Sequence, residues 1–152
     1  MSRIQNILVP VDFTKSSLYA ARYAASLAQT HNARLYVLHV KQPFPVHGRI
    51  VAGSLEDVQK HRMIKERTEL TKVIPAALKN SIAVEEILVT GIPVYRVIVE
   101  KARQFCVDVI VMPAQDRKGW ARVFKKNLTA QVIRNAHCSV FVAQLPEGNA
   151  DI

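Results

Sequence analysis

The sequence predicts an open, doubly wound α/β domain built on a parallel sheet, and three observations carry that prediction. Strand-like runs rich in Val, Ile and Leu alternate with helix-spaced segments along the whole chain, in the order β-α-β-α-β-α-β-α-β. The runs are continuously apolar, as strands covered on both faces require. The length of 152 residues fits one domain, 1–152, long enough to bury roughly 70 % of the surface its unfolded chain exposes.

The first strand is Asn6 to Phe13, NILVPVDF, where Pro10 removes a ladder donor, so regular pairing should stop near it. Asp12 then falls at the carboxyl end, where its carboxylate suits either a nucleotide ribose or the backbone of its own loop. Thr14 or Ser16 caps a helix running to about Thr30, with Leu18, Ala21, Ala25 and Ala28 along one face. His31 and Asn32 end it, and Ala33 to Val40 forms the second strand. A β-α-β unit of this length implies parallel strands and a right-handed crossover. Lys41 to Gly53 reads as a surface loop from its prolines and glycines. Ser54 and Asp57 are spaced as a capping box for a polar helix to about Lys79, which Pro75 should kink or end one turn early. The charges between Lys60 and Glu69 read as a solvated face.

Ala83 to Thr90 is the third strand, and Glu85 and Glu86 mark it as less enclosed, in keeping with an edge. Gly91 and Pro93 make a tight passage into a helix whose stripe of Val94, Val97, Ile98, Ala102 and Phe105 is core. Val107 to Met112 is the fourth strand, a basic segment follows, Leu128 to Ala136 is helical and Ser139 to Leu145 is the last strand. Leu145 to Ile152 reads as a frayed tail. In open parallel sheets ligands sit outside the carboxyl ends of the strands, so the segment after Met112 is the first place to look for function.

Three stretches resemble the universal stress protein family: VPVDF, with Pro10 and Asp12 in place; TGIPVYRVIVEKA, with Gly91, Pro93 and Ala102; and DVIVM followed by VIRNAHCSVFVA. The resemblance runs from Asn6 to Leu145. It implies a five-stranded parallel sheet in the order 3-2-1-4-5 with helices on both faces, an adenine-nucleotide alpha hydrolase-like fold. It also implies an adenine beside the backbone of Val40, and a phosphate loop of the form G-x2-G-x9-G-(S/T) after the fourth strand. The glycine positions of that loop are Pro113, Asp116 and Lys126 here, and the Ser/Thr position is Asn127.

Glycines in such loops reach positive φ and let backbone N–H groups approach phosphate closely. Pro113 has no N–H, Asp116 adds negative charge, Lys126 is bulky, and Asn127 caps a helix but lacks the hydroxyl. ATP is therefore expected to bind weakly or not at all. Against this, Arg117, Lys118, Arg122, Lys125 and Lys126 gather cations beside a helix N-terminus at Asn127, which favours an anion. The candidate nucleotide or anion pocket is thus Pro10, Asp12, Val40, Gly91, Met112, Arg117, Lys126 and Asn127. Trp120 sits among the cations, either packed on the sheet edge or marking a partner surface.

No dinucleotide or Walker motif is present, and no nucleophile has an assignable base. His31, His39, His47, His61 and His137 show no metal-ligand spacing, and Cys106 and Cys138 read as reduced thiols packed as small hydrophobes. The net charge of +9 favours anionic partners, but no aromatic-rich motif supports nucleic acid, which ranks third. With 49 % hydrophobic residues, no run of about 18 apolar residues and no secretion signal, a soluble cytoplasmic protein without membrane contact is expected.

The leading reading is a non-enzymatic stress-response module that acts through protein partners and a homodimer, without cofactor or metal. The rival is an adenine-nucleotide sensor with a non-canonical basic phosphate loop. The homodimer is expected through Ser139 to Leu145, an uncharged edge in the implied strand order, as is common in the family.

Overall fold

A computed structural model describes residues 3–43, 52–114 and 127–146. The elements are β1 (Asn6–Pro10), α1 (Lys15–His31), β2 (Arg34–Lys41), α2 (Ala52–Lys72), α3 (Ala76–Lys79), β3 (Val84–Thr90), α4 (Val94–Gln104), β4 (Val109–Pro113), α5 (Leu128–Asn135) and β5 (Ser139–Ala143). The strands form one sheet in the order β3-β2-β1-β4-β5, every neighbouring pair parallel. This is the order the family resemblance implies.

Side chains alternate across each strand, so the sheet feeds two cores. On one face Ile7, Val9, Leu35, Val37 and Val111 meet the alanines of α1 and Leu70, Val73 and Ile74 at and beyond the end of α2. On the other, Leu8, Leu38, Val40, Ile110 and Met112 meet Val94, Ile98 and Ala102 of α4 and Val132 of α5. Ala20, Ala21, Ala24, Ala25 and Ala28 are all fully buried, so the small-residue face of α1 lies flat on the sheet. Leu18 only flanks that face.

Helix ends follow local chemistry. Thr14 rather than Ser16 is the N-cap of α1, its side chain accepting from the Ser17 N–H, and Asn32 closes the helix at φ 52° and ψ 45°. Helix α2 starts at Ala52, so the helix begins two residues earlier than the spacing of Ser54 and Asp57 implies. It ends at Lys72, before Pro75, as the proline requires, and the chain restarts as α3 with Pro75 at its N-cap. Strand β5 stops at Ala143, short of Leu145, because its partner β4 ends at Pro113 in register with that residue.

The cysteines differ from expectation. Cys138 is half-buried against the second core, but Cys106 is exposed. Cys106 takes the left-handed position just past α4, at φ 49°, which turns its side chain out as the chain reverses into β4.

At the amino ends of the strands Asp108 ties β4 to β1. Its Oδ2 accepts from the Gln5 and Asn6 N–H groups at 2.8 and 2.9 Å, while its own N–H donates to the Asn6 carbonyl at 2.9 Å. Asp108→Ala should therefore lower stability by about 2 kcal/mol, since two hydrogen bonds to a charged acceptor are lost. Urea unfolding checks this, and Asp108→Asn, whose amide oxygen can accept both N–H groups but without the charge, should recover about half of the loss.

Candidate functional site

Chain direction reverses between β1 and β4: the chain winds outward from β1 through β2 to β3, then returns to the other side of β1 with β4 and β5. The crevice at such a switch point, outside the carboxyl ends of the strands, is where doubly wound sheets hold ligands. Pro10, Asp12, Val40, Gly91, Met112 and Asn127 all come to this end of the sheet. Arg117, Lys126 and the other residues of the basic segment, with Asp116 and Trp120, lie outside the described residues.

Pro10 is the last residue of β1 and is buried, and Val11 follows with its N–H on the Leu38 carbonyl at 2.8 Å. Asp12 comes next, and its carboxylate is part of the turn into α1. Oδ1 accepts from the Thr14 N–H at 3.1 Å and the Thr14 hydroxyl at 2.6 Å, and the Asp12 N–H donates to Ser17 Oγ at 3.2 Å. Of the two roles open to this carboxylate, loop bracing is the one the geometry displays. Phe13 between them sits at φ 65°, a left-handed conformation uncommon for a bulky residue. Its ring packs 4.5 Å from that of His39.

Val40 and Met112 are buried side chains whose contribution to a ligand can only come from the backbone. Gly91 follows β3, with its N–H on the Lys41 carbonyl at 3.0 Å. A Cβ there would lie 2.7 Å from Val97 Cγ2, so the glycine permits the close seating of α4 against this end of the sheet. Asn127 caps α5 by accepting from the Ala130 N–H at 3.3 Å. The Thr129 hydroxyl donates to the Pro113 carbonyl at 3.1 Å, which pins the start of α5 to the end of β4.

These bonds bear on whether a triphosphate fits. Pro113 has no N–H, and the Ala114 N–H donates to the Ala143 carbonyl at 3.0 Å. The first two positions after Met112 therefore offer no backbone donor to a phosphate. The Asn127 Oδ1 is engaged in its helix cap. Asp12, the Val40 backbone and Gly91 remain grouped at this end of the sheet. Among the described residues no three His, Cys, Asp or Glu side chains gather as a metal site.

His39 was hidden in the apolar run ARLYVLHV; its place near the end of a buried strand is the signal that it matters. The ring is buried on the α1 side of the sheet, and Nδ1 lies 2.7 Å from the Val11 carbonyl. Burial pushes its pKa below the ordinary value, opposed by the Val11 carbonyl and by the carboxylates of Glu66 and Asp12, and reinforced by Arg62. The charges of α2 are accordingly not a simple solvated face. Arg62 Nε donates to Glu66 Oε1 at 2.8 Å, and Glu66 Oε2 is 4.0 Å from Lys41 Nζ, with the carboxylate largely buried.

The all-parallel sheet and its strand order define a doubly wound α/β domain with a crevice at the carboxyl ends of β1 and β4. The model of the universal stress protein family matches residues 3–144, and the chain belongs to that family. A universal stress protein of Methanocaldococcus jannaschii is 29 % identical over 94 % of this chain and 84 % of its own length. Among solved structures, the universal stress protein UspA from Lactobacillus plantarum superposes with a TM-score of 0.70 at 28 % identity, covering 93 % of this chain and 99 % of that one. The universal stress protein from Archaeoglobus fulgidus in complex with dAMP has a TM-score of 0.59 at 20 % identity, covering 93 % and 98 %.

Gly91→Ala should destabilise the protein by about 1–3 kcal/mol, because the added methyl meets a β-branched side chain. In a Val97→Ala background the same substitution should cost much less. A double-mutant cycle by thermal unfolding checks the coupling.

Proposed function

We propose that this chain is a non-enzymatic universal-stress-type module of the cytoplasm, one that works through a homodimer and protein partners and does not require ATP. The observation that carries the reading is the end of β4, where Pro113 and Ala114 supply no backbone donor to a phosphate. Titration calorimetry with magnesium and ATP near physiological salt tests it. The expected dissociation constant for ATP is weaker than about 100 µM. Low micromolar binding would overturn the reading and restore an ATP-dependent sensor.

A second reading, binding of an adenine mononucleotide, is favoured by one observation. The relative from Archaeoglobus fulgidus holds dAMP, a ligand that needs no triphosphate cradle, and the nucleoside-side residues Asp12, Val40 and Gly91 are grouped here. In the same calorimeter AMP and dAMP should then bind more tightly than ATP. Equal or weaker binding of the monophosphates counts against this second reading and leaves the first intact.

The homodimer is assigned to β5. This edge strand carries no charge, and Phe141 and Val142 are 42 % and 43 % exposed. Phe141 stacks on Tyr23 of α1 at 5.1 Å, so an apolar ledge flanks a backbone edge that pairs with no further strand among the described residues. Pairing with a second copy about a twofold axis satisfies those backbone groups and covers both side chains. Light scattering should give twice 17.0 kDa for the wild type and a lower mass for Val142→Pro. A monomeric wild type at tens of micromolar removes the proposal.

A further inference from the structure

We propose that residues 55–69 of α2 form a lid at the carboxyl end of the sheet, one that opens as a unit about an apolar hinge at Leu70, Val73 and Ile74. Glu66, set between Arg62 and Lys41, is its latch. The placement of the lid follows from the chain path. β2 and β3 are parallel neighbours, so the helix between them runs back from the carboxyl to the amino end of the sheet. Glu66 meets Lys41, the last residue of β2. From Ala52 to Glu66 the helix spans about 20 Å, so this stretch stands level with the strand ends or beyond them.

Burial along the inner face of α2 falls off in the same direction. Leu55, Arg62, Glu66 and Leu70 are spaced to share one face of a helix. Leu70 is buried, whereas Glu66, Arg62 and Leu55 are only half-buried, and the other residues between 55 and 69, Val58, Met63 and Ile64 included, are exposed. Val73 and Ile74, just past the helix, join Leu70 in the first core, but no side chain from 55 to 69 belongs to either core. The tie between this stretch and the sheet is ionic. Glu66 Oε1 accepts from Arg62 Nε at 2.8 Å within the helix, and Oε2 lies 4.0 Å from Lys41 Nζ, the contact that crosses from α2 to β2.

The energetics of this tie favour two arrangements. The Lys41 and Glu66 side chains are only 13 % and 14 % exposed, so closing withdraws both charges from water. The return is incomplete, because Oε2 is buried without a hydrogen-bond partner among the described residues. Opening hydrates the ammonium and the carboxylate together and gives up no fully buried apolar side chain, since Leu70, Val73 and Ile74 stay in place. A carboxylate drawn away from Lys41 but not yet in water has neither partner, which disfavours positions in between. The surface uncovered is the end of β2, where the Lys41 carbonyl takes the Gly91 N–H and Val40 precedes it. The lid therefore governs access to that side of the crevice, whichever ligand the crevice takes.

Hydrogen exchange of the full-length protein, corrected for intrinsic rates, tests the lid. Amides 58–66 should exchange through one shared opening, at least about tenfold less protected than amides 20–30 of α1, whose alanine face is fully buried. Glu66→Gln, alike in shape but uncharged, should lower protection over 58–66 by about a further tenfold and leave 20–30 unchanged, and Lys41→Met should act in the same way. Together the two substitutions should fall short of the product of their separate effects, since they break the same tie. Protection that rises steadily from Ala52 marks fraying, and exchange of 58–66 only on global unfolding marks a fixed helix; either pattern in the wild type overturns the proposal, even if a variant fails to fold. Unchanged protection in Glu66→Gln, or fully multiplicative effects of the two substitutions, overturns it as well.

Discussion

Parallel pairing of β1 between β2 and β4 is the constraint on which the rest of the structure depends. A strand in that position is covered on both faces, so Ile7, Leu8 and Val9 are each fully buried and its polar residue, Asn6, sits at the open amino end. Chemistry is thereby driven to the strand ends. At the amino end the Asp108 carboxylate joins β4 to β1 through the Gln5 and Asn6 N–H groups, and the Asn6 side-chain amide donates to the Cys106 carbonyl at 3.3 Å. At the carboxyl end the chain leaves the sheet through Val11 and turns at once on Asp12 and Thr14, where polar groups can first be satisfied.

Much of this was legible in the sequence, for physical reasons. Continuous apolar runs can only be doubly covered strands, and Asn32, Pro75 and Pro93 punctuate the helices by backbone geometry that no distant contact overrides. Two features lay outside what the pattern encodes. The charges of α2 read as a solvated face, yet Glu66 takes Arg62 and lies 4.0 Å from Lys41 of β2, a meeting of elements more than twenty positions apart. The cysteines were treated alike, yet Cys106 is turned outward by a left-handed residue at a helix end, a matter of local chain reversal.

The site was legible only on one side. Pro10, Asp12, Val40 and Gly91 fall where strand ends place them, whereas the cation-rich segment lies outside the described residues. What the structure adds is the fate of individual donors near β4: one N–H is missing in Pro113 and the next is engaged by β5. The pairing of β4 with β5 thus runs on to Ala114, and the two positions after Met112 have no backbone donor left over.

The two edges of the sheet are unlike in a way that bears on assembly. On β3, Glu85 lies 3.9 Å from Arg34 and Glu86 pairs with Lys79, so that margin is lined with charge. On β5 no charge interrupts the strand. A sheet with one guarded margin and one bare margin can be lengthened in a single direction only. On the pairing proposed for β5, two copies would place charge-lined β3 margins at both outer limits, which opposes further strand addition.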